Sequence, residues 1–511
     1  MAHAIGIDVG TTNVKVNIVS SQGALVSSAA RNLRTSRSAD GEIAEQDADA
    51  LWGAVKDGIA EAAAAAPAEA ADVVAIGCCS QYSSIVPVGP DAAPAADMVL
   101  WQDKRGTNYC LDMVQREGAL DAWLQRGGVP PVAEGLSLAH ILHFQYDRPE
   151  VHVRTAAYLE PMDYVNARLT GRITANQCTM FMSQLCDNRT LDVTAYDDEL
   201  LRYSGAEASK LPPLDHIGVP VGRLRSELAA ELGLPQHVVV MGGMNDSHAD
   251  VIATGALTPG RAGLAVGTTS VLVDVVDRPA ADLDHEVLSM PSPFGTYLVW
   301  AETGIGGRAL EFALTSIVHG NDALGDHRTG NPFSALDAAI AKSPPGSNGT
   351  LFLPWLTGSL APQLNPSMRG AFINLKLETQ RIDLIRAVTE GVGHSLRWLL
   401  LFVEAFTGTD IDEVGFVGGA AHSAVWSQIL ADVLDRPVLQ MSNPDLAVAR
   451  AVALVALARH GDLDQNELER LAETTRRLEP TPAHRMVYNT MHQQFIASFD
   501  ALRPVFETLN P

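Results

Sequence analysis

Apolar side chains fall on every second position at Val14, Val16 and Ile18, and again at Val271, Val273 and Val275. That period predicts two strands, each with one buried face. Both strands follow the same corner. The segments VGTTNVKVNIV (Val9 to Val19) and VGTTSVLVDVV (Val266 to Val276) align without a gap through Val-Gly-Thr-Thr and three further valines. A repeat in equivalent frames points to an internal duplication rather than to two unrelated turns. Strand-like runs (AIGIDVG, VVAIGCCS, HVVVMGG) alternate with helical ones from the start to about residue 250, and the alternation resumes after the second corner. This is α/β patterning.

A longer period marks the helices. Ile385, Val388, Val392, Leu396, Leu399 and Val403 form one stripe that stops at Gly408, which predicts a long amphipathic helix. It leads into IDEVGFVGGAAHSAVWSQILADVL, read as strand, Gly-Gly turn and helix. EAAAAAPAEAA reads as an Ala-rich surface helix broken at Pro67. The last segments, NELERLAETTRRL and MHQQFIASFDALRPVFETL, both read as helical. At 511 residues the chain exceeds a single core. The best boundary lies near residues 242 to 260, and a division into 1–244 and 245–511 is expected.

Charge narrows the partners. A net charge of −24, with no cluster of Lys and Arg, argues against a nucleic-acid surface. An anionic nucleotide would have to be bound locally, by backbone N–H groups, hydroxyls, a helix N-terminus or a metal ion. Five cysteines at no framework or ligand spacing suit a reducing compartment. No basic-then-apolar leader opens the chain, and the most apolar late run, DLAVARAVALVALARHG, carries Arg450 at its centre. Neither export nor a membrane span is expected, which suggests a cytoplasmic location.

The two corners have a chemical use. Glycine admits close approach, and threonine hydroxyls with turn N–H groups make a donor-rich cradle for phosphate oxygens. Asp8 directly precedes the first cradle, whereas Ala265 precedes the second. A carboxylate beside phosphates requires a cation between them, so Asp8 reads either as a Mg²⁺ anchor, direct or through water, or as a turn residue accepting backbone N–H bonds. Lys15 lacks the surrounding Walker pattern. Asp246 stands after Gly242-Gly243 where a helix begins, and is either an N-cap or a general base kept ionised by the helix terminus. GCCSQYSSIVPVG and VLWQDKRG present Gln81, Tyr82, Ser83, Trp101, Asp103 and Arg105. An aromatic face beside amide, carboxylate and guanidinium groups suits a polyhydroxylated ligand, and equally a surface loop with a core tryptophan.

In order along nearly the whole chain, these segments resemble the FGGY family of carbohydrate kinases, its xylulokinase-like branch most. The carriers are GIDVGTTNVK, GCCSQYSS, LWQDKRG, GGMNDSHADVIATGA, VGTTS, FLPWLTGSLAPQLNPSMRGAFINL and VGFVGGAAHSAVWSQILADVLDRPV. The resemblance implies two ribonuclease-H-like domains of the actin and sugar-kinase superfamily with a catalytic cleft between them. The first would bind sugar and the second nucleotide. It implies MgATP as phosphoryl donor and Asp246 as general base, also touching the sugar, with Asp8 organising Mg²⁺. Thr11, Thr12, Gly267 and Thr268 would hold phosphates, and Gly419, Ala420 and Ser423 would lie near adenosine. Gln81, Tyr82, Trp101, Asp103 and Arg105 would line the sugar pocket. The implied substrate is D-xylulose or a related ketopentose; ribulose, gluconate, erythritol or glycerol, or a non-catalytic sugar sensor, are the alternatives, and a homodimer stays open.

Four departures from the family pattern stand out. Tyr82-Ser83-Ser84 replaces Met-His-Gly, Ala420 replaces a glycine, Gly358-Ser359-Leu360 replaces Gly-Glu-Arg, and His140 replaces a lysine.

Overall fold

The computed structural model describes residues 1–318 and 336–510. Two mixed sheets organise it. The first is built from β1 (His3–Val9), β2 (Asn13–Ser20), β3 (Leu25–Asn32), β4 (Val73–Ser80), β5 (Pro220–Arg223), β6 (Val239–Met241) and the short β7 (Met244–Asn245). Its strand order is β5-β6-β4-β1-β2-β3, with β7 also paired to β4. The second comprises β8 (Arg261–Val266), β9 (Thr269–Val276), β10 (Ala281–Asp282), β11 (Val287–Pro291), β12 (Tyr297–Ile305), β13 (Glu413–Val417), β14 (Val438–Met441) and β15 (Thr474–Leu478), in the order β10-β11-β12-β9-β8-β13-β14-β15.

The duplication is visible in the pairing. In the first sheet β3-β2-β1 are antiparallel and β1-β4-β6 parallel. In the second, β12-β9-β8 are antiparallel and β8-β13-β14 parallel. One core covers the first sheet with α1 (Ala48–Ala65) and α2 (Pro161–Thr170), and a second core buries the long helix predicted from its stripe.

Two helices cross between the halves. Helix α3 (Asp246–Thr254) leaves the first sheet and packs on β8 and β13 of the second. The long helix α4 (Arg381–Thr407) ends at Gly408 in the left-handed conformation, as its sequence predicts, and is followed by α5 (Ala424–Leu434). Helix α6 (Ala447–His460) returns to pack on β1 and β4. Helices α3 and α6 share a third, interdomain apolar cluster with Ala4, Val19 and Ala75. Repeat-equivalent glycines permit both approaches: a Cβ on Gly6 would lie 1.8 Å from the Ala449 carbonyl oxygen, and one on Gly263 2.3 Å from Thr254 Oγ1. The last helix, α7 (Arg485–Leu509), closes over α4.

Three sequence expectations change. The gapless repeat is not a gapless hairpin. Val9 pairs with Val14, but Val266 pairs with Ser270, one position earlier. A one-residue slip turns β9 over relative to β2. Leu272 therefore enters the second core, while Val273 and Val275 join a separate cluster with Met290 and Leu298. Nor does β2 keep an exposed face: every residue from Val16 to Ser20 is buried, because α6 covers the far side and the Leu446 carbonyl accepts from Asn17 Nδ2 at 2.9 Å. Finally, NELERLAETTRRL is not a helix. Two short 3₁₀ turns precede β15, whose residues pair with the open edge of β14. Tertiary pairing of Thr474, Arg476, Arg477 and Leu478 outweighs helical propensity here. The break at Pro67 stands, though Ala62, Ala63 and Ala66 of the alanine run are buried.

Candidate active site

Three strand ends of the first sheet carry the first group of residues. Val9 of β1 pairs with Ser80 of β4, and Asn245 of β7 pairs with that same Ser80. Asp8, Gln81 and Asp246 are thereby brought together outside the carboxyl edge of the parallel strands, where ligands of open α/β sheets bind.

The cap question resolves at Asn245. Asn245 holds the extended cap position of α3 (φ −74°, ψ 155°), and its backbone N–H donates to His248 Nδ1 at 3.3 Å. His248 Nε2 donates in turn to the Pro291 carbonyl at 2.9 Å. Asp246 is the first helical residue, and its Oδ1 accepts only from the adjacent Ser247, whose N–H lies 2.7 Å away. The Asp246 carboxyl is pushed up to about 7 by burial and by the negative charge of Asp8, against the opposing Ser247 bonds.

Asp8 is 7% exposed and faces Lys15, its cross-strand partner, with Nζ to Oδ2 at 3.7 Å. Burial raises its carboxyl despite Lys15. Burial and the charges of Asp246 and Asp8 raise Asp250 well above the ordinary carboxylate range, with Lys15 opposing. This excess of buried carboxylate over cation fits a divalent ion arriving with phosphates. Among the described residues no three His, Cys, Asp or Glu side chains converge as a protein-only metal cage.

The first corner is tied to the loops after β4 and before Asp103. Trp101 Nε1 donates to Thr11 Oγ1 at 3.2 Å, and Gln46 Nε2 to the Thr11 carbonyl at 2.6 Å. The Thr11 hydroxyl and Ser84 Oγ donate to Gln81 Oε1 at 3.4 and 3.3 Å. Thr11 thus belongs to the Gln81–Trp101 network, leaving Thr12 exposed at the corner. Gln81 Nε2 is buried and has no partner, a donor awaiting an acceptor. Asp103 is fully buried and both its oxygens are engaged, by Arg105 (Nη2 at 2.7 Å) and the Ala44 N–H at 2.9 Å. Arg105 also reaches Glu45 at 2.6 Å. The structure thus makes Asp103 a holder of Arg105, while Arg105 stays partly exposed. His140, at the departure from lysine, lies behind this pair, its Nε2 3.1 Å from the Asp103 carbonyl.

The second group surrounds the other corner. Gly267 and Thr268 are exposed at its tip, and a Cβ on Gly267 would meet nothing within 4 Å. Their carbonyls accept from the N–H groups of Gly307 (2.7 Å) and Gly306 (3.1 Å). Next to this corner, Gly418 adopts φ +90° against Val266, and Gly419 opens a 3₁₀ turn with free space before it. Ala420 is buried. Ser423 caps α5, accepting from the Trp426 N–H at 2.9 Å and donating to Asp337. Its hydroxyl is thus spent within the fold.

Sequence reading missed two features. Glu302 on β12 has its carboxyl raised to about 7 by burial, with the Thr269 hydroxyl opposing and the Asp246 charge adding. Tyr82, raised well above its usual range by burial and the Asp246 charge, also feels Glu302. Glu302 has no motif around it; only the cleft reveals it. Gly306 and Gly307 carried a signal, a glycine pair opening a helix after a strand.

Two domains of one topology, meeting at a cleft with a donor-rich corner on each side and a free carboxylate between, define the class of two-domain sugar kinases. Residues 3–253 match the FGGY family of carbohydrate kinases, N-terminal domain, and residues 264–459 match its C-terminal domain. The chain belongs to the FGGY family of carbohydrate kinases. It is 26% identical to the xylulose kinase of Bacillus subtilis over 93% of this chain and 91% of that one. It is 22% identical to the gluconokinase of Bacillus licheniformis over 86% and 84%. The solved structure titled as a "xyloylose kinase" from Brucella ovis superposes with TM-score 0.86 at 25% identity, covering 98% of this chain and all (100%) of that one. Among the described residues no helix is long and apolar enough to cross a membrane.

Proposed function

We propose that this sugar kinase transfers the γ-phosphoryl group of ATP to a terminal hydroxyl of an open-chain sugar, D-xylulose or a related ketopentose, with Asp246 as general base. The observation that carries this reading is that Asn245 takes the cap position and leaves the Asp246 carboxylate to the cleft. The residue division 1–244 and 245–511 belongs to the same proposal, as do a cytosolic location and a partner set of sugar and nucleotide.

Gln81 Nε2 supplies a donor to a sugar oxygen, Arg105 and Trp101 flank it, and Asp103 orients Arg105. Tyr82 borders the same space beside Asp246. The hydroxyls of Thr12 and Thr268 offer donors to phosphate oxygens and Gly267, whose own N–H is held by the Thr269 carbonyl, leaves open space for them, while Gly419 and Ala420 border adenosine. Thr11 and Ser423 act one step back, as supports. Mg²⁺, held at Asp8, would neutralise phosphate charge. Asp246 takes the hydroxyl proton as the oxygen attacks in line, and the corners stabilise charge on the transferring group.

ADP release should respond to one compound in a panel of ketopentoses, aldonates and polyols. Asp246→Asn should lower that turnover by about 10²–10⁴ with sugar affinity nearly unchanged. Near-normal turnover in that variant would end the assignment. A response to gluconate alone would move the reading to the gluconokinase relatives.

A further inference from the structure

Behind the strand that leads into Asp246 lies a second polar site. Asp163, Thr174, Asn176, Asp215, Gly242 and Gly243 line a cavity with room for one water-sized occupant, about 10 Å³. Asp163, in the first turn of α2, is 2% exposed, and its Oδ2 has no hydrogen-bond partner. Asp215 Oδ2 is likewise buried and unpartnered, while its Oδ1 accepts from Arg172 Nη2 at 2.7 Å. The other polar groups are committed elsewhere. Thr174 Oγ1 donates to the Pro213 carbonyl at 2.9 Å, Asn176 Nδ2 to the Gly243 carbonyl at 3.0 Å, and His216 Nδ1 pairs with Asp192 at 2.8 Å. Arg459, beyond Gly242, turns to the Pro293 carbonyl.

With both carboxyls ionised, two carboxylates against one guanidinium leave a single negative charge at the cavity. Uncompensated, that charge is costly to bury. All free ligand atoms are hard oxygens, and the volume admits one particle without a water shell. Mg²⁺ keeps several waters and demands an octahedron, so it does not fit. We propose that this cavity binds one dehydrated alkali cation, K⁺ or Na⁺, between Asp163 and Asp215. The ion joins α2 to the Leu214–Asp215 strand across a cavity that the Gly242-Gly243 segment also lines, and so steadies the chain from which Asp246 is presented. The site is independent of which sugar is phosphorylated.

A proton is the ion's competitor. Burial raises the Asp163 carboxyl to about 8, the Thr179 hydroxyl opposes this, and the Asp215 charge adds to it. Cation binding should therefore strengthen from pH 6.5 to pH 9.

The test is thermal unfolding of the full chain in KCl, NaCl and choline chloride at equal ionic strength, since choline is too large to enter. A midpoint about 2–4 °C higher in one alkali salt, saturating with concentration and larger at pH 9 than at pH 6.5, supports the site. Asp163→Asn should abolish the difference. Equal midpoints in all three salts, or a difference that survives Asp163→Asn, overturn it. Should the variant not fold, crystals of the unmodified protein soaked in Tl⁺ decide: an anomalous peak between Asp163 and Asp215 supports the proposal, and a cavity holding water alone overturns it.

Discussion

The Asp246 carboxyl, pushed to about 7 from an ordinary 3.8, places a cost on the fold. Below the ordinary value both folded and unfolded chains hold the proton, and nothing is lost. Between the two values the unfolded chain releases its proton while the folded one retains it, so stability falls as pH rises; above about 7 the whole cost is present. Asp246→Asn removes the titration. It should leave stability unchanged at pH 3 and raise it at pH 8 by on the order of 1–3 kcal/mol, less than the full shift because the cleft admits water. Urea unfolding at the two pH values measures this, and an equal change at both would refute it. The placement of Asp246 and Asp8 beside the glycine corners was legible in the sequence. Whether Asp246 caps α3 was not, because a one-residue difference in where that helix starts decides it. Asp103 illustrates the converse: the motif marks it, but only the fold reveals that its oxygens are consumed by Arg105 and Ala44.

At the scale of elements, the strands near the two corners and helix α4 follow from periodicity, because a buried stripe repeats in any packing that covers it. Register does not follow. The slip in the second hairpin rests on where Gly267 N–H finds its acceptor, Thr269 at 3.0 Å, whereas Gly10 reaches on to Asn13 at 2.9 Å. The strand β15 depends on an edge supplied by another part of the chain, which no local pattern records. Glycines give opposite tests of this packing. Gly6→Ala must force α6 off β1, since its Cβ would sit 1.8 Å from the Ala449 oxygen, and should cost about 3 kcal/mol or more. Gly53, inside α1, has nothing within 4 Å of an added Cβ, so Gly53→Ala should stabilise by about 0.5–1 kcal/mol. Denaturant midpoints of the two variants should move in opposite directions; a tolerated Gly6→Ala would mean that α6 does not press on the first sheet as closely as described.

For the whole molecule, charge and architecture act together. The chain carries a net −24, and the cleft adds Asp8, Asp246 and Asp250 in mutual electrostatic reach and Glu302 within reach of Asp246, with Lys15 beside Asp8. A nucleotide polyphosphate entering without metal meets repulsion both at long range and at the site. Its binding should therefore be at least about tenfold weaker with EDTA than with Mg²⁺, on the scale of one lost charge neutralisation. The salt response is the sharper measurement. Attraction between a protein and an anion weakens with added salt, but repulsion is screened, and the screening length falls from about 30 Å at 0.01 M to about 8 Å at 0.15 M. Metal-free ATP should consequently bind more tightly at 0.15 M salt than at 0.01 M, while MgATP, carrying less charge, should change little. Calorimetric titrations at both salt concentrations, with and without EDTA, read all four affinities. If metal-free ATP instead weakens with salt, basic groups dominate the nucleotide's approach, and Asp8 does not act as the point through which a cation offsets the carboxylates of the cleft.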